Sequence, residues 1–449
     1  MLRTTQIIRN IIPLNRKTSA MILSIYTYLF TEKGKFYLYN SQTNFFSEIS
    51  DELYKSLKNR TWAELPREIM EQLTSHKILV AAESKYDYYN SQHLLFNARR
   101  YNNTQLALVI VPTTSCNFEC PYCFEPKKNP KTINTKVIDN IRQFVKSFPD
   151  AKHLNITWYG GEPLLAFDKI KQIHSMLTEE GMPELRSQSI ITNGYLFSDE
   201  IVKFFNEVGL GSIQITLDGT RELHNTTRCL KSSRQPTFDV ILNNIDLILR
   251  EMPKTQLSIR VNIKKATGRQ YIELLEYFTK KYPDHRPGVY PGLIREYTPD
   301  GKSMHCDCYS NEDILELNEL IKEAGFNSGL FPRKEHRGCM VHALNSYIIG
   351  PEGELYKCWN DVSDPDMSVG NIASGKLTGS TRLLDFMTET TPFNTECREC
   401  HVFPICSGGC GYYRLRNYKE NAKFAICSPY KDYYKLRRAL LAGIKPEFA

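Results

Sequence analysis

The stretch Cys116-Asn-Phe-Glu-Cys120-Pro-Tyr-Cys123 decides the fold class that we predict for this 449-residue chain. It directly follows residues 106–111, an apolar run with the length of a buried strand. The three thiols are therefore expected on a loop at the carboxyl end of a strand. We find neither an apolar run long enough to span a membrane nor a secretory signal. The 13 cysteines thus indicate metal binding in a reducing cytoplasm rather than disulfides.

Apolar strands alternate with amphipathic helices over residues 105–325. The spacing of apolar residues predicts strands at 106–111, 154–159, 188–192, 212–217, 257–263 and 289–295. It predicts helices at 137–145, 167–179, 199–208, 238–252, 271–282 and 313–324. Six β/α units with short connections imply a parallel sheet with helices outside, an α/β fold in the form of a partial (β/α)6 TIM-type barrel. Ligands of such folds bind at the carboxyl ends of the strands.

The regions on either side of this barrel have different patterns. Residues 1–100 hold no cysteine and predict a hairpin around Lys33-Gly34, with strands at 25–30 and 36–39, then two short helices. This combination resembles a winged helix-turn-helix. Residues 330–449 hold seven cysteines and only short apolar runs, so bound metal would have to organise them. We therefore predict domains at 1–100, 105–325 and 330–449.

Cys116, Cys120 and Cys123 can bind three irons of a cubane cluster and leave the fourth iron open to a small chelating molecule. A zinc knuckle with a distant fourth ligand is the alternative. With Tyr122 before its last cysteine, this CxxxCxxC resembles the signature of the radical S-adenosylmethionine (SAM) superfamily. The resemblance implies a [4Fe–4S] cluster that binds SAM and, when reduced, cleaves it to methionine and a 5′-deoxyadenosyl radical. It also implies that the backbone at 122–124 lies beside the adenine.

Three further motifs end the next predicted strands: Gly160-Gly161-Glu162-Pro163, Thr192-Asn193-Gly194 and Thr216-Leu217-Asp218-Gly219. Each would be an ordinary turn if it stood alone, but at successive strand ends one ligand could touch them all. The resemblance implies SAM contacts from Tyr122, Gly160, Gly161, Glu162, Asn193, Thr216 and Arg228, with Arg234 as the alternative to Arg228. Asp218, Glu125 and Tyr159 fall near this site, but the sequence assigns no catalytic role to any of them.

The C-terminal cysteines follow the pattern Cys339, then Gly353-x4-Cys358, then Cys397-x2-Cys400-x5-Cys406-x3-Cys410, then Cys427. This pattern resembles the SPASM domain, which holds two auxiliary [4Fe–4S] clusters. The resemblance implies that the second auxiliary cluster is held by Cys397, Cys400, Cys406 and Cys427, and the first by Cys339, Cys358 and Cys410. Fully ligated members of that family have another cysteine shortly after the position of Cys339, but residues 340–357 of this chain hold none. The first cluster therefore either takes a fourth ligand from Cys306, Cys308 or His342 or keeps an open iron for a substrate thiolate or water. A two-zinc ribbon is the alternative for the region.

Residues 1–100 also resemble the RiPP recognition element, a small domain that binds the leader of a precursor peptide. In that family the leader adds a strand to the hairpin edge, and we expect the groove at strand 36–39 and the helix after it. The alternatives are a packing domain and a DNA-binding winged helix. The helix at 66–78 is nearly neutral, however, and the net charge of +7 is spread widely, so we expect no nucleic-acid partner.

Together these features predict a peptide maturase that uses SAM and three [4Fe–4S] clusters to form a thioether or carbon–carbon cross-link in a ribosomally made precursor peptide. We expect a reducing donor such as flavodoxin or ferredoxin as a second partner, and no membrane partner. An anaerobic sulfatase maturase, which makes formylglycine, is the alternative, although 115 residues precede Cys116 and those enzymes usually begin close to their CxxxCxxC. An iron–sulfur electron carrier or scaffold is the non-catalytic alternative.

Overall fold

The computed structural model describes residues 20–123, 130–284, 286–294, 313–326, 332, 338–374 and 380–442. Within these ranges, no helix combines the length and the apolar character that crossing a bilayer requires.

Two small sheets and three helices form the N-terminal region. The strands are β1 Met21–Leu23, β2 Thr27–Glu32, β3 Lys35–Asn40, β4 Phe45–Ile49 and β5 Leu79–Ala81. The helices are α1 Asp51–Asn59, α2 Arg67–Ser75 and α3 Asp87–Arg100. Strands β2, β3 and β4 form an antiparallel sheet in that order, and β1 pairs with β5. Helix α1 begins where Ser50 accepts the backbone N–H of Leu53 at 3.2 Å, an ordinary N-cap.

The edge that we expected at 36–39 for an added strand is not available, and that prediction is wrong. Strand β3 is the central strand of its sheet, because Tyr37 lies opposite Phe30 of β2 and also opposite Glu48 of β4. Strand β4 was not predicted. It has five residues and begins with two adjacent phenylalanines, so it lacks the alternation of apolar and polar residues that indicates a strand. The edge strands of this sheet are β2 and β4.

Nine strands form the central sheet of the molecule. They are β6 Gln105–Ile110, β7 His153–Trp158, β8 Glu184–Thr192, β9 Ser212–Leu217, β10 Gln256–Ile263, β11 Gly288–Leu293, β12 Ser346–Ile349, β13 Glu354–Tyr356 and β14 Gly370–Asn371. Their order is β11-β10-β9-β8-β7-β6-β12-β13-β14. Strands β6 to β11 pair in parallel, and β12 adds to β6 in parallel. The predicted α/β class with a partial barrel is therefore confirmed.

Helices follow the parallel strands and cover one face of the sheet. They are α4 Thr135–Lys146, α5 Phe167–Leu177, α6 Asp199–Glu207, α7 Arg221–Thr227, α8 Phe238–Glu251, α9 Gly268–Lys281 and α10 Asp313–Glu323. Sequence analysis missed α7, which is only seven residues long. The other six occupy the predicted positions to within a few residues at each end.

The two faces of the sheet differ because successive side chains of a strand point in opposite directions. Ile213, Ile215 and Leu217 of β9 are fully buried in the core beneath the helices. Between them, Thr216 is partly exposed, and so is Arg260, which lies opposite it on β10. The inner face of the last strands is therefore polar, and it ends at the same rim as the cysteine loop.

The C-terminal region continues with short helices around its cysteines. They are α11 Thr381–Glu389, α12 Thr395–Arg398, α13 Phe403–Cys406, α14 Gly411–Glu420 and α15 Tyr433–Ala442. This region also contributes β12, which lies opposite residues 107–110 of β6, with Tyr347 and Ile349 buried in the barrel core. The sequence did not reveal this pairing, because it joins strands more than 200 positions apart.

The N-terminal sheet packs against the cysteine-rich region rather than against the barrel. Phe30, Tyr37 and Tyr39 share a hydrophobic core with C-terminal side chains, namely Val402, Ile405, Leu436 and Leu440. The Ser41 hydroxyl donates to the carbonyl of His401 across this contact at 2.5 Å. One face of the N-terminal sheet is therefore covered by residues that flank predicted cluster ligands.

Candidate functional site

The cysteine loop is held in place by the two adjacent glycines at the end of β7. A Cβ added to Gly161 would lie 2.5 Å from the carbonyl oxygen of Thr114, and one added to Gly160 would overlap the carbonyl of Thr113. Gly160 also has φ of +142°, which side chains other than glycine rarely adopt. The Gly161 N–H donates to Thr113 O at 3.2 Å, and the Glu162 N–H donates to Ser115 O at 2.8 Å. The two glycines thus allow the cysteine loop itself, rather than a ligand, to pack closely against the end of β7.

Glu162 joins the ends of β7 and β8. Its carboxylate is fully buried and accepts from the Thr192 hydroxyl and the Asn193 N–H at 2.7 Å each, and from the Leu164 N–H at 3.1 Å. Burial raises the pKa of this carboxyl, and these three donors oppose the rise. In the described structure Glu162 therefore braces two strand ends, and its predicted contact with an ammonium group stays a prediction.

Asn193 connects that brace to the cysteine loop. Its side-chain amide donates to Asn117 Oδ1 at 2.7 Å. On the other side of the loop, Phe118 forms a β-bridge with Leu230, and the Lys231 N–H donates to Asn117 O at 2.8 Å. The segment between Cys116 and Cys120 is therefore fixed from two sides before any cofactor binds.

Tyr122, Asp218 and Arg228 form a buried polar cluster beneath the loop. The Tyr122 hydroxyl donates to Asp218 Oδ2, which also accepts from the Thr227 hydroxyl at 2.8 Å. Arg228 Nη1 lies 3.1 Å from the same tyrosine oxygen and 3.9 Å from Asp218 Oδ1. The cluster brings together a residue of the cysteine motif, the end of β9 and the helix after it.

The charges of this cluster balance one another. Burial raises the pKa of Asp218, and Arg228 opposes that rise. Burial disfavours the charge of Arg228, but Tyr122, Cys120 and Asp218 outweigh it and raise its pKa. Asp218 Oδ1 and Arg228 Nε are buried without a hydrogen-bond partner among the described residues. A polar ligand at this rim could therefore accept a hydrogen bond from Arg228 Nε and donate one to Asp218 Oδ1.

The structure separates the two arginines that sequence analysis left open. Arg228 is buried beside Tyr122, and its guanidinium lies 5.6 Å from the ring centre of Phe118. Arg234 is exposed and pairs with Glu119 at 3.1 Å. Of the two, only Arg228 lies at the strand-end rim.

The other predicted residues are distributed unevenly. Thr216 lies on the inner face near its strand end, Tyr159 is buried against the Trp359 ring at 4.7 Å, and Glu125 falls outside the described residues, as does position 124. Asn262 was missed, although its amide lies 3.4 Å from the Tyr122 hydroxyl. The sequence signal for Asn262 was its position near the end of β10, a strand whose helix-facing residues are all apolar.

We expect Gly161→Ala to prevent the loop from holding its cluster, because the new methyl group would overlap the carbonyls at 114 and 115. Iron bound after anaerobic reconstitution should fall by the content of one cluster, and SAM cleavage should be lost. Gly288→Ala is the matched control for glycine loss, since Gly288, like Gly161, has no positive φ but has open space around it. Full iron in the Gly161 variant would contradict this account of the glycines.

Four cysteines line one cavity in the C-terminal region. They are Cys397, Cys400, Cys406 and Cys427, the set predicted for the second auxiliary cluster. Arg414 and Lys431 also line the cavity, and Lys431 Nζ lies 3.9 Å from Cys427 Sγ. Burial raises the pKa of Cys397 to about 11, and Arg414 opposes that rise.

The set predicted for the first auxiliary cluster comprises Cys339, Cys358 and Cys410, of which Cys358 is buried. Cys339 and Cys410 are close enough to act electrostatically on Cys358, whose pKa is raised well above its usual value, chiefly by burial. His342 lies near these residues, and burial lowers its pKa to about 4. Cys306 and Cys308, the other candidates for a fourth ligand, lie outside the described residues.

Several features of the described residues suit iron–sulfur clusters. Backbone N–H groups point at cysteine sulfurs two positions earlier, from Phe118 to Cys116 at 3.4 Å, from Asn360 to Cys358 and from Val402 to Cys400. Such bonds stabilise thiolates and tune cluster potentials. No three His, Cys, Asp or Glu side chains in the described ranges converge as a site for a single metal ion. The four-cysteine cavity instead provides the thiolates that a cubane requires.

Comparisons with known proteins place this arrangement in a family. Residues 110–278 match the radical SAM superfamily. The chain is 23% identical over 363 residues to a cysteine-type anaerobic sulfatase-maturating enzyme of Clostridium perfringens, with 74% of this chain and 95% of the relative covered. It is 24% identical over 357 residues to a serine-type enzyme of Klebsiella aerogenes, with 74% and 84% covered.

A solved structure of native anSMEcpe with bound AdoMet and Cp18Cys peptide has the same fold. The TM-score is 0.59 at 20% identity, with 75% of this chain and 97% of that chain covered. Residues 110–278 thus form a radical SAM domain, and the parallel barrel is its fold.

Proposed function

We propose that this enzyme modifies a ribosomally made precursor peptide by forming a thioether or a carbon–carbon cross-link. The observation that carries the proposal is the additional N-terminal region. It presents a sheet edge on one side and packs on the cysteine-rich region on the other. About a quarter of this chain lies outside its match to the Clostridium perfringens sulfatase-maturating enzyme, of which 95% is covered.

Three [4Fe–4S] clusters and SAM are the proposed cofactors. The first cluster belongs to Cys116, Cys120 and Cys123, and the two auxiliary clusters belong to the two C-terminal cysteine sets. When bound and reduced, the first cluster supplies the electron that converts SAM to a hydrogen-abstracting 5′-deoxyadenosyl radical. The two C-terminal cysteine sets would hold auxiliary clusters, which would supply an acceptor for the electron that remains on the substrate after cross-linking.

The rim of the barrel is the proposed SAM site. Arg228 presents a buried positive charge, and the backbone at Gly160, Gly161 and Asn193 borders the cysteine loop. Thr216 and Tyr122 complete the proposed contacts with the nucleotide. The polar inner face behind them, where the Arg260 side chain donates to Asn262 at 3.1 Å, is available to the substrate peptide.

Strand β4 is the proposed docking edge for the leader of the peptide. Its sheet partner β3 lies on one side only, and its first residue, Phe45, stacks on His76 at the end of α2 with ring centres 3.9 Å apart. A shallow depression on α2 is lined by Arg67, Met70, Glu71, Thr74, Ser75 and Lys77. An extended peptide pairing with β4 could therefore place side chains against α2.

We expect Thr74→Glu to weaken peptide binding about tenfold, which corresponds to about 1.4 kcal/mol, by placing a charge in this depression. Asn59→Glu is the matched control, because it adds the same charge at an exposed position at the end of α1. The measurement is fluorescence anisotropy of labelled peptides encoded by short reading frames beside the gene. Equal affinities of the two variants for a peptide that the enzyme modifies would contradict the docking edge.

The second candidate function is sulfatase maturation, which the similarity to both types of sulfatase-maturating enzyme favours. Mass spectrometry separates the two candidates. Both reactions remove two hydrogens, but a cross-link keeps the cysteine sulfur, whereas conversion of cysteine to formylglycine also exchanges that sulfur for oxygen. The Cp18Cys peptide of the solved anSMEcpe structure and the peptides encoded beside the gene are the two substrates to compare.

A flavodoxin or ferredoxin is the proposed electron donor in the cytoplasm. Formation of 5′-deoxyadenosine under dithionite tests whether the chain is catalytic. Fully loaded clusters without this product would favour an electron carrier or scaffold instead.

A further inference from the structure

His342 and Cys339 lie on the same short turn. The His342 N–H donates to the carbonyl of Cys339 at 3.1 Å, closing a 3-10 helix that comprises Met340–His342. The two side chains therefore originate from one segment of four residues, Cys339 to His342. Cys339 belongs to the cysteine set proposed for the first auxiliary cluster, for which that set supplies only three thiolates.

The imidazole ring of His342 lies against the backbone that follows Cys410. A Cβ added to Gly411 would lie 2.9 Å from His342 Nε2 and closer still to Cε1, so a side chain there would displace the ring. Gly411 has an ordinary helical position at the start of α14, and no positive φ requires glycine there. The absence of a side chain at 411 thus serves to admit the ring beside Cys410.

The hydrogen bonds of Thr390 determine which nitrogen of His342 carries the proton. The Thr390 hydroxyl donates its one proton to the carbonyl of Phe386 at 2.6 Å. Its oxygen must therefore accept at the 3.1 Å contact with His342 Nδ1, which makes Nδ1 the protonated nitrogen. Nε2 is left with a lone pair on the side of the ring that faces Gly411. A metal-bound histidine typically has its other nitrogen fixed in this way.

The charges around His342 suit an anionic group. Arg100, Arg414 and Lys357 all act on the ring electrostatically. Lys357 is fully buried, and Arg100 is 4% exposed with Nε and Nη2 lacking a hydrogen-bond partner among the described residues. Buried cations without full compensation are costly. A thiolate-bound cluster carries net negative charge and would offset them.

We propose that His342 Nε2 is the fourth ligand of the first auxiliary cluster, together with Cys339, Cys358 and Cys410. This rests on the cluster assignment in the proposed function. A cluster closed by histidine has no open iron for a substrate thiolate, so its role is electron transfer rather than substrate binding. Replacing a thiolate by a neutral imidazole also raises the reduction potential, as in Rieske centres.

The test is electron–nuclear double resonance on the reduced clusters of protein labelled with 15N-histidine. The Cys120→Ala background removes the first cluster, and no SAM is added, so the only nitrogen ligand left to detect is the one proposed. We expect a strong 15N coupling that disappears in His342→Cys, while the iron content stays at about eight per chain. His401→Phe, beside Cys400 and stacked on Tyr433 at 4.2 Å, is the control and should retain the coupling.

The outcomes separate this proposal from the proposed function. Two C-terminal clusters without any histidine coupling would overturn His342 as the ligand and leave the cluster assignment intact. Absence of both C-terminal clusters from the unsubstituted protein would overturn the assignment itself. In His342→Ala, a change of the spectrum on adding imidazole would support the proposal, because a vacated site accepts the missing ligand. An unchanged spectrum there would count against it.

Discussion

Cys120→Ala should abolish formation of 5′-deoxyadenosine while leaving the C-terminal clusters loaded. With one of its three thiolates removed, the loop at Cys116–Cys123 can no longer hold a cubane that leaves just one iron for SAM. Iron after anaerobic reconstitution should fall from about 12 to about 8 per chain. The product is measured by chromatography under dithionite, and iron by colorimetric assay.

Cys229→Ala is the matched control for this experiment. Cys229 is buried and belongs to none of the proposed ligand sets, so its loss should leave a small cavity and nothing more. Product formation and iron content should match those of the unsubstituted enzyme. SAM cleavage that persists in Cys120→Ala would place the radical cluster on other cysteines.

Arg228→Gln should destabilise the enzyme by about 3–5 kcal/mol near neutral pH, since it leaves a buried carboxylate without its cation. Asp218 lies 3.9 Å from the guanidinium, and the two side chains are 4% and 9% exposed. We also expect binding of SAM to weaken, because the arginine is the buried cation at the strand-end rim. Thermal unfolding and equilibrium binding of SAM measure the two effects separately.

The loss of stability should depend on pH in a defined direction. Without Arg228, the pKa of Asp218 in the folded protein rises further above its value in the unfolded chain. The folded state is then penalised only where the unfolded carboxyl is ionised, so the difference from the unsubstituted enzyme should shrink as pH falls towards about 4. A difference that does not vary with pH would contradict an uncompensated Asp218.

Two further variants complete this experiment. Arg234→Gln removes an exposed pair with Glu119, which is worth about 0–1 kcal/mol, and should change neither stability nor SAM binding appreciably. In Arg228→Gln combined with Asp218→Asn, stability should largely return but SAM binding should stay weak. A loss of SAM binding in Arg234→Gln alone would show that the second arginine reaches the nucleotide.

Sequence reasoning located the strands and the cysteine loop because both depend on nearby residues. The alternation in β9, with Ile213, Ile215 and Leu217 buried and Thr216 between them, follows from the geometry of a strand. It failed where short elements lack a period. Strand β4 begins with Phe45 and Phe46, and without β4 the central strand β3 was taken for an edge.

The amino-acid sequence by itself determined the order of the barrel strands β6 to β11 and of the six longer helices that follow them, the thiol loop at the end of β6 and the grouping of the other cysteines. Only the tertiary structure decided that Arg228 rather than Arg234 is buried at the rim, and that His342 lies beside Cys410. It alone also joined β12 to β6. The physical reason is that patterns of apolar residues report local geometry, whereas burial, charge pairing and sheet order depend on residues that are distant in the chain.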